Sequence, residues 1–176
     1  NALDAAVTGA NNTAIGFNAL TANTSGASNV AVGRSSLKSN TTANNNVGVG
    51  LDALEFNTTG AQNTSVGCQT LKANIDGASN SGYGAFALIK NTSGDNNTGL
   101  GYNALRENTT ANNNVAVGYE SLKSNTTGAD NVAVGKDALK ANTTGSYNIG
   151  IGRQTLLNAT TASYNTGVGN GVLKAN

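Results

Sequence analysis

Apolar, small and polar positions recur in this chain with a fixed period of 17 residues. Each unit opens with an asparagine, has a glycine four residues later and a leucine four residues after that, without insertion or deletion from residue 12 onwards. Self-similarity at a fixed period predicts a solenoid in which each repeat forms one coil stacked on the next. The anchor asparagines, which define position one of coils 1 to 10, are Asn12, Asn29, Asn46, Asn63, Asn80, Asn97, Asn114, Asn131, Asn148 and Asn165.

The first five positions of a coil predict a strand that ends at a corner. Positions two and four are mostly β-formers with a small residue between them, as in Val30 and Val32. This alternation predicts a strand of about five residues whose aliphatic side faces a core. The glycine at position five predicts a positive φ, or a place where a Cβ atom would collide with the next coil. A small residue at position eight and the leucine at position nine predict a second inward-facing segment, and one helical turn over positions six to ten is also compatible.

A polar segment with the sequence Asn-Thr-Thr-Gly, or a close variant, starts at position twelve and predicts the return turn. Stacking would place the asparagines of positions one and twelve in hydrogen-bonded ladders and the threonines in columns. The predicted fold is all-β: a parallel β-solenoid, or β-roll, of ten 17-residue coils. Residues 1–11 would form a partial N-terminal repeat and residues 12–176 one continuous rod. The chain starts in mid-unit, because Asn1 to Leu3 match residues 18–20, so we expect a window from a longer array.

The predicted core is thin, which favours association of several chains. Two or three medium-sized apolar side chains per coil, at about 25 cal/mol per Å² of buried area, leave little margin over the chain entropy of 17 ordered residues. Packing of rods side by side would enlarge that core. The residues alone therefore predict more than one chain and leave their number open.

Composition removes most chemical functions from consideration. The chain has no histidine, and its nine acidic residues fall at scattered positions of the repeat, so neither a general base nor a carboxylate pair is indicated. We expect no enzymatic activity, no cofactor and no metal. A net charge of +1 and the lack of a long apolar run argue against nucleic-acid binding and membrane insertion. The lone Cys68 is interpreted as a tolerated small residue, and the Asn-x-Thr sequons as by-products of the turn sequence.

Several repeats resemble a known family of fibrous proteins. Residues 29–33 and 131–135 (Asn-Val-Ala-Val-Gly) and 148–152 (Asn-Ile-Gly-Ile-Gly) resemble the N-x-V/A-x-G core of the YadA-like head repeats of trimeric autotransporter adhesins. Residues 97–105, followed by Asn-Thr-Thr at 108–110, look even more like the Asn-Thr-rich arrays of phage tail fibres and large bacterial surface proteins. The resemblance covers essentially the whole chain, although the 17-residue period is longer than the usual head repeat. It implies a left-handed, homotrimeric, fibrous β-roll that acts in adhesion.

The predicted function is structural and depends on the shape of the rod rather than on chemical groups. We expect a rigid segment of an extracellular adhesive fibre, on a cell surface or a virion, whose partners are further copies of itself and a cell-surface glycan or receptor. One alternative is a self-assembling extracellular filament, in which rods stack end to end through their uncapped coils and the filament itself is the functional structure. A third is an ice-binding solenoid, which is less favoured because the paired threonines are adjacent in sequence and would face opposite sides of an extended segment.

Candidate binding residues occupy positions six and ten. Cations there predict either a weakly cationic stripe for anionic polysaccharide or, as the favoured interpretation, a solvated face with local pairs such as Glu120 with Lys123 and Asp137 with Lys140. The aromatic residues at position six, Phe17, Tyr102 and Tyr119, predict either stacking on sugar rings or contact between subunits. Coil 5 is irregular, with Tyr83, Phe86 and Ile89 in place of smaller or polar residues, which favours local repacking of the core over a binding patch. The candidates are Arg34, Lys38, Lys72, Tyr102, Arg106, Tyr119, Lys123, Lys136, Lys140 and Arg153.

Overall fold

A computed structural model describes residues 2–3 and 8–174 and shows an all-β, parallel β-solenoid. Each coil contributes one three-residue strand, and the ten strands form a single sheet in chain order. The predicted partial repeat at 1–11 falls partly on residues 1 and 4–7, which lie outside the described residues. The strands are β1 (Thr13–Ile15), β2 (Val30–Val32), β3 (Val47–Val49), β4 (Thr64–Val66), β5 (Ser81–Tyr83), β6 (Thr98–Leu100), β7 (Val115–Val117), β8 (Val132–Val134), β9 (Ile149–Ile151) and β10 (Thr166–Val168).

The register confirms the 17-residue period. Strand partners are always equivalent residues of adjacent coils, so that Val115 pairs with Val132 and Ala116 with Ala133. Backbone hydrogen bonds also join adjacent coils outside the strands, for example from the Leu37 N–H to the Ala53 carbonyl. The whole circumference of a coil is therefore bonded to its neighbour. Positions six to ten form turns, and the described residues contain no helix.

The strands face the opposite way from the prediction. Position three is buried, whereas positions two and four lie at the surface or half-buried, so the aliphatic side of the strand points away from the core. The reason is the narrow interior of the coil. The position-nine leucine of the preceding coil fills the space behind position three: a Cβ atom built on Gly99 would lie 3.3 Å from Leu88, and one built on Gly150 would lie 3.2 Å from Leu139. Only alanine, glycine or serine fits there.

Three residues per coil adopt left-handed backbone conformations without being glycine. They occupy positions seven, nine and seventeen, and include the core leucines, such as Leu122 at φ 50°. This conformation is uncommon for leucine because its Cβ atom approaches the following carbonyl, at a cost of roughly 1–2 kcal/mol. Complete burial of the side chain and a hydrogen bond from the Leu122 N–H to the next coil offset that cost. The Asn-Thr-Thr-Gly segment at positions twelve to fifteen contains no residue with positive φ among the described residues.

The position-five glycines meet both predicted conditions. All ten have φ between +117° and +139°. A Cβ atom on Gly118 would also lie 2.7 Å from the backbone of Gly135 in the next coil. Backbone conformation and stacking distance each require glycine at this corner.

Two asparagine ladders form the polar half of the core and confirm the predicted columns. At position one, the side-chain oxygen of Asn46 accepts the backbone N–H of Asn63 in the next coil. At position twelve, the amide of Asn57 donates to the side chain of Asn40 in the coil before. Both side chains also converge within the coil, since Asn46 and Asn57 each donate to the Gly60 carbonyl at 2.9 Å. The ladders thus tie successive coils together and close each coil on itself.

Candidate functional site

The outward side of the sheet forms a continuous uncharged strip, which we call the outer strand face. It consists of the side chains at positions two and four of every coil, and none of the twenty is charged. Position four is aliphatic in every coil except coil 5, where it is Tyr83. Position four is 40–64% exposed in coils 1, 5, 6, 9 and 10 and half-buried in the other five, while position two is Thr or Ser in five coils. A single exposed Ile or Leu is ordinary, but a column of apolar side chains at position four along the whole rod marks an interaction surface.

The first group of candidate cations belongs to an ion-pair network on coils 2 to 4. Lys72 lies 3.2 Å from Asp52 and 3.1 Å from Glu55, while Arg34 and Lys38 each approach one of these carboxylates at 3.8 Å. Burial raises the pKa of Asp52, but hydrogen bonds from Gln69 and Lys72 and the charges of Lys72 and Arg34 outweigh it and hold that pKa below its usual value. These cations are engaged with neighbouring acids.

The second network lies on coils 7 and 8 and contains both predicted pairs. Lys123 donates to Glu120 at 2.7 Å, and Lys140 contacts Asp137 at 3.2 Å. Lys140 also bridges the coils by contacting the second oxygen of Glu120 at 2.6 Å. Burial raises the pKa of Glu120, but the hydrogen bonds from Lys123 and Lys140 outweigh it and lower the pKa to about 2. Local pairing at these positions is therefore confirmed.

Aromatic residues form a short stack beside this network. The rings of Tyr102 and Tyr119 are parallel within 14°, with centroids 5.5 Å apart. Phe86 meets Tyr102 edge to face at 5.8 Å, and the Lys136 ammonium lies 5.5 Å from the centre of the Tyr119 ring. Tyr102 and Tyr119 remain 44% and 48% exposed. Each ring is thus partly exposed but already has a neighbour against its face.

A cleft of about 380 Å³ opens next to this stack, and we call it the coil 5–7 cleft. Its volume lies within the range of roughly 300–1,000 Å³ that is typical of small-molecule sites. Aromatic, cationic, anionic and amide groups line it together. The lining residues are Phe86, Tyr102, Asn103, Arg106, Glu120 and Lys123.

The cleft forms where one pairing of the repeat is broken. In coil 7 the position-ten cation, Lys123, donates to the position-seven acceptor, Glu120. In coil 6 the position-ten cation, Arg106, instead donates to Glu107 at 2.6 Å. Asn103, at position seven of coil 6, therefore has no partner from its own coil, and its buried side-chain oxygen accepts no hydrogen bond among the described residues.

The structure brings together four of the ten sequence candidates. Tyr102, Arg106 and Lys123 line the cleft, and Tyr119 stacks behind Tyr102. Arg34, Lys38 and Lys72 lie in the network of coils 2 to 4, whereas Lys136 covers Tyr119, Lys140 pairs with acids, and Arg153 is exposed.

Asn103 was not among the candidates, and Phe86 was recognised only as part of the irregular coil 5. A signal for Phe86 exists in the sequence, since position seven is polar or glycine in every other coil. Asn103 has no such signal, because Asn18 occupies the same position in coil 1.

Three further findings concern membrane-spanning helices, metal-binding groups and similarity to known proteins. No helix in the described part of the chain is long and apolar enough to cross a membrane. Residues 2–3 and 8–174 contain no group of three or more His, Cys, Asp or Glu side chains arranged to hold a metal ion. No protein-family model, curated protein or solved structure matches the chain.

Proposed function

We propose that this chain is a rigid segment of an extracellular adhesive fibre, in which copies of the rod pack against one another through the outer strand face. The observation that carries the proposal is the uncharged strip of positions two and four, which faces away from the core along all ten coils. Burial of such a strip supplies the apolar contact that the narrow interior of a single rod lacks.

A second copy of the chain fits the outer strand face better than an unrelated partner. Side chains on this face recur at the strand spacing of about 4.8 Å over a length of about 45 Å. A partner makes equivalent contacts at every coil only when its own side chains have the same spacing. Another copy of the chain meets this condition, because each column repeats in register from β1 to β10.

The number of chains and their setting come from the resemblance of the repeat. The N-x-V/A-x-G core resembles repeats of trimeric autotransporter adhesins and of phage tail fibres, which implies three chains, a left-handed coil and a place on a cell surface or virion. Stiffness supports a role as a fibre segment, because hydrogen bonds join neighbouring coils around their circumference. The rod would hold an adhesive surface at a fixed distance from its base.

The test is the solution mass of the chain, measured by light scattering over a concentration series. We expect a discrete species near three times the chain mass of 17.5 kDa. Replacing outward-facing Val117 with lysine should dissociate it, since an unpaired charge would be buried between chains. Thr127→Lys is the matched control, because Thr127 belongs to the same coil but lies exposed in the return turn.

Other outcomes would contradict the proposal in different ways. A wild-type chain that is monomeric at every concentration would remove self-association. Mass that grows without limit would favour the open filament over the closed trimer. Dissociation by Thr127→Lys as well as Val117→Lys would show that the outer strand face is not the contact. Circular dichroism of both variants would separate lost association from lost folding.

The ice-binding alternative receives no support from the threonine columns. Hydroxyls at position thirteen donate to the backbone carbonyl of the next coil, as from Thr109 to Thr126 and from Thr126 to Thr143. They are therefore not free to order water, and the exposed hydroxyls of position fourteen lie in a turn rather than on the sheet. A thermal-hysteresis assay without effect would remove this function.

A further inference from the structure

We propose that the coil 5–7 cleft binds a sugar residue that carries a carboxylate, as found in acidic polysaccharides. This inference deepens the adhesive role proposed above by assigning it a ligand class and a site. It rests on the lining of the cleft, where aromatic rings, a guanidinium group and an ammonium group lie around one volume.

The aromatic wall provides the platform. Tyr102 is held in place by Tyr119 on one side and by Phe86, which meets it edge to face. Coil 5 has Ala85 at position six, so the aromatic column of position six ends at Tyr102. Phe86 and Tyr102 both line the cleft, and the exposed parts of aromatic rings contact the C–H groups of a sugar by dispersion and burial. The cleft therefore contains a rigid, partly apolar wall.

The charges of the cleft favour an acidic ligand over a neutral one. The charged side chains that line it are two cations, Arg106 and Lys123, and one acid, Glu120. Arg106 contacts Glu107 through Nη1, and its other guanidinium N–H groups make no hydrogen bond among the described residues. These donors suit a carboxylate, which guanidinium groups bind through paired hydrogen bonds.

A buried amide, that of Asn103, completes the polar lining of the cleft. Asn103 is 7% exposed, and its side-chain nitrogen donates to Glu120 at 3.4 Å. Its side-chain oxygen has no donor among the described residues. Because that oxygen is shielded from solvent, Asn103 contributes to the cleft by helping to position Glu120, the acid that also accepts from Lys123.

The test is titration of the full chain with methyl β-D-glucuronide and methyl β-D-glucoside, followed by NMR. The two ligands differ only in having a carboxylate or a hydroxymethyl group. We expect the glucuronide to bind about tenfold more tightly, which corresponds to one charge-assisted contact. Arg106→Gln should bring its affinity down to that of the glucoside, and Tyr102→Ala should weaken both ligands about tenfold.

Two matched controls lie outside the cleft. Tyr147 is a stacked and exposed tyrosine, and Arg153 is an exposed cation at position six. Tyr147→Ala and Arg153→Gln should leave glucuronide binding unchanged. An equal loss of binding in these variants would overturn the site, and equal affinity for both ligands would overturn the carboxylate assignment. Absence of binding up to about 10 mM, weaker than any specific site of this kind, would overturn the proposal outright.

The same samples separate this inference from the fibre proposal. Light scattering in the presence of each ligand reports association independently of binding. Normal assembly without glucuronide binding would remove the cleft and leave the fibre. Glucuronide binding by a chain that stays monomeric would support the cleft and remove the fibre. If Tyr102→Ala dissociates the assembly, the position-six tyrosines belong to the contact between chains, and the sugar site is refuted.

Discussion

At the residue scale, buried asparagines determine how well each coil is joined to the next. The position-twelve ladder runs through Asn108, Asn125 and Asn142, each of which donates to the coil before. In coil 9 the equivalent residue is Ala159, which is buried but has no amide. The side-chain oxygen of Asn142 consequently accepts no hydrogen bond in the described part of the chain. One substitution interrupts a ladder that is otherwise regular.

Completing this ladder should stabilise the rod. Ala159→Asn would supply a donor to the side-chain oxygen of Asn142 and a second donor to the Ala162 carbonyl, as Asn57 does for Asn40 and Gly60. We expect the free energy of unfolding to rise by about 1 kcal/mol, the net value of a buried hydrogen bond. Urea denaturation followed by circular dichroism measures the change.

The control for this substitution is Ala141→Asn. Ala141 lies at position eleven, beside the ladder but outside it, and is half-buried. An asparagine there gains no ladder partner, so its effect should be near zero or slightly destabilising. If both variants had the same free energy of unfolding, the missing amide in coil 9 would make no difference to stability.

At the element scale, the ion-pair network of coils 7 and 8 connects stability to pH. Glu120 has a folded-state pKa of about 2, below the ordinary value of 4.5. A lowered pKa stabilises the fold above pH 4.5, and this contribution is lost as the pH falls from 4.5 to 2. Screening by solvent around the partly exposed lysines limits it to about 1–2 kcal/mol.

Glu120→Gln should remove this pH dependence. Compared with the unsubstituted chain, we expect it to be about 1–2 kcal/mol less stable at pH 7 and equally stable near pH 2, where Glu120 is itself protonated. Urea denaturation at a series of pH values gives the comparison. The exposed Asp76, which has no ion pair among the described residues, provides the control Asp76→Asn. A constant stability difference between pH 7 and pH 2 would refute the assignment to Glu120.

Sequence patterns predicted the elements better than their orientation. The repeating register located all ten strands, the corner glycines and both ladders. Alternation at Val30, Ala31 and Val32 showed only that the two sides of a strand differ, and the apolar side was assigned to the core. The space beside Leu37 decides otherwise, since a Cβ atom added to Gly48 would lie 2.5 Å from the hydroxyl of Ser36. The size of side chain that fits at position three depends on the width of the coil, which cannot be read from the period of the sequence.

The cleft was beyond sequence reasoning for a related reason. Arg106 and Lys123 occupy the same position of the repeat, so the pattern treats them alike. Their side chains take different partners, because coil 6 offers Glu107 at position eleven whereas coil 7 offers Glu120 at position seven. A choice between two nearby acids depends on side-chain geometry. Tyr102 and Tyr119 were recognised because they share position six, although their stacking on one another was not predicted.

At the scale of the whole molecule, the repeat length is a strict unit of construction. Every ladder and every strand pair joins residues 17 positions apart, as from Asn29 to Asn46 and from Asn46 to Asn63. Loss of one entire coil therefore leaves all other pairings in register. Loss of any other number of residues displaces one coil against its neighbours. Nearest-neighbour coupling of this kind is general in solenoids.

Deletion of residues 29–45 should accordingly give a folded rod that is one coil shorter. Deletion of 29–44 removes one residue fewer and leaves an 18-residue coil, whose left-handed positions and buried asparagines no longer coincide with those of its neighbours. We expect the first variant to keep the circular dichroism spectrum of the unsubstituted chain with a small drop in melting temperature. The second should unfold at a clearly lower temperature or in two steps. Identical melting of the two variants would contradict a strict register.

The asparagine core also determines how the rod responds to cold. Exposure of apolar surface raises the heat capacity on unfolding, whereas exposure of amide groups lowers it. In coils 2 to 8 a single leucine and small residues share the interior with two asparagines, so the two contributions partly cancel. The resulting stability curve is broad and shallow, and cooling removes little of the stabilisation because hydrogen bonds, unlike hydrophobic contacts, do not weaken at low temperature. The rod should therefore keep most of its stability at low temperature, which circular dichroism on cooling would show.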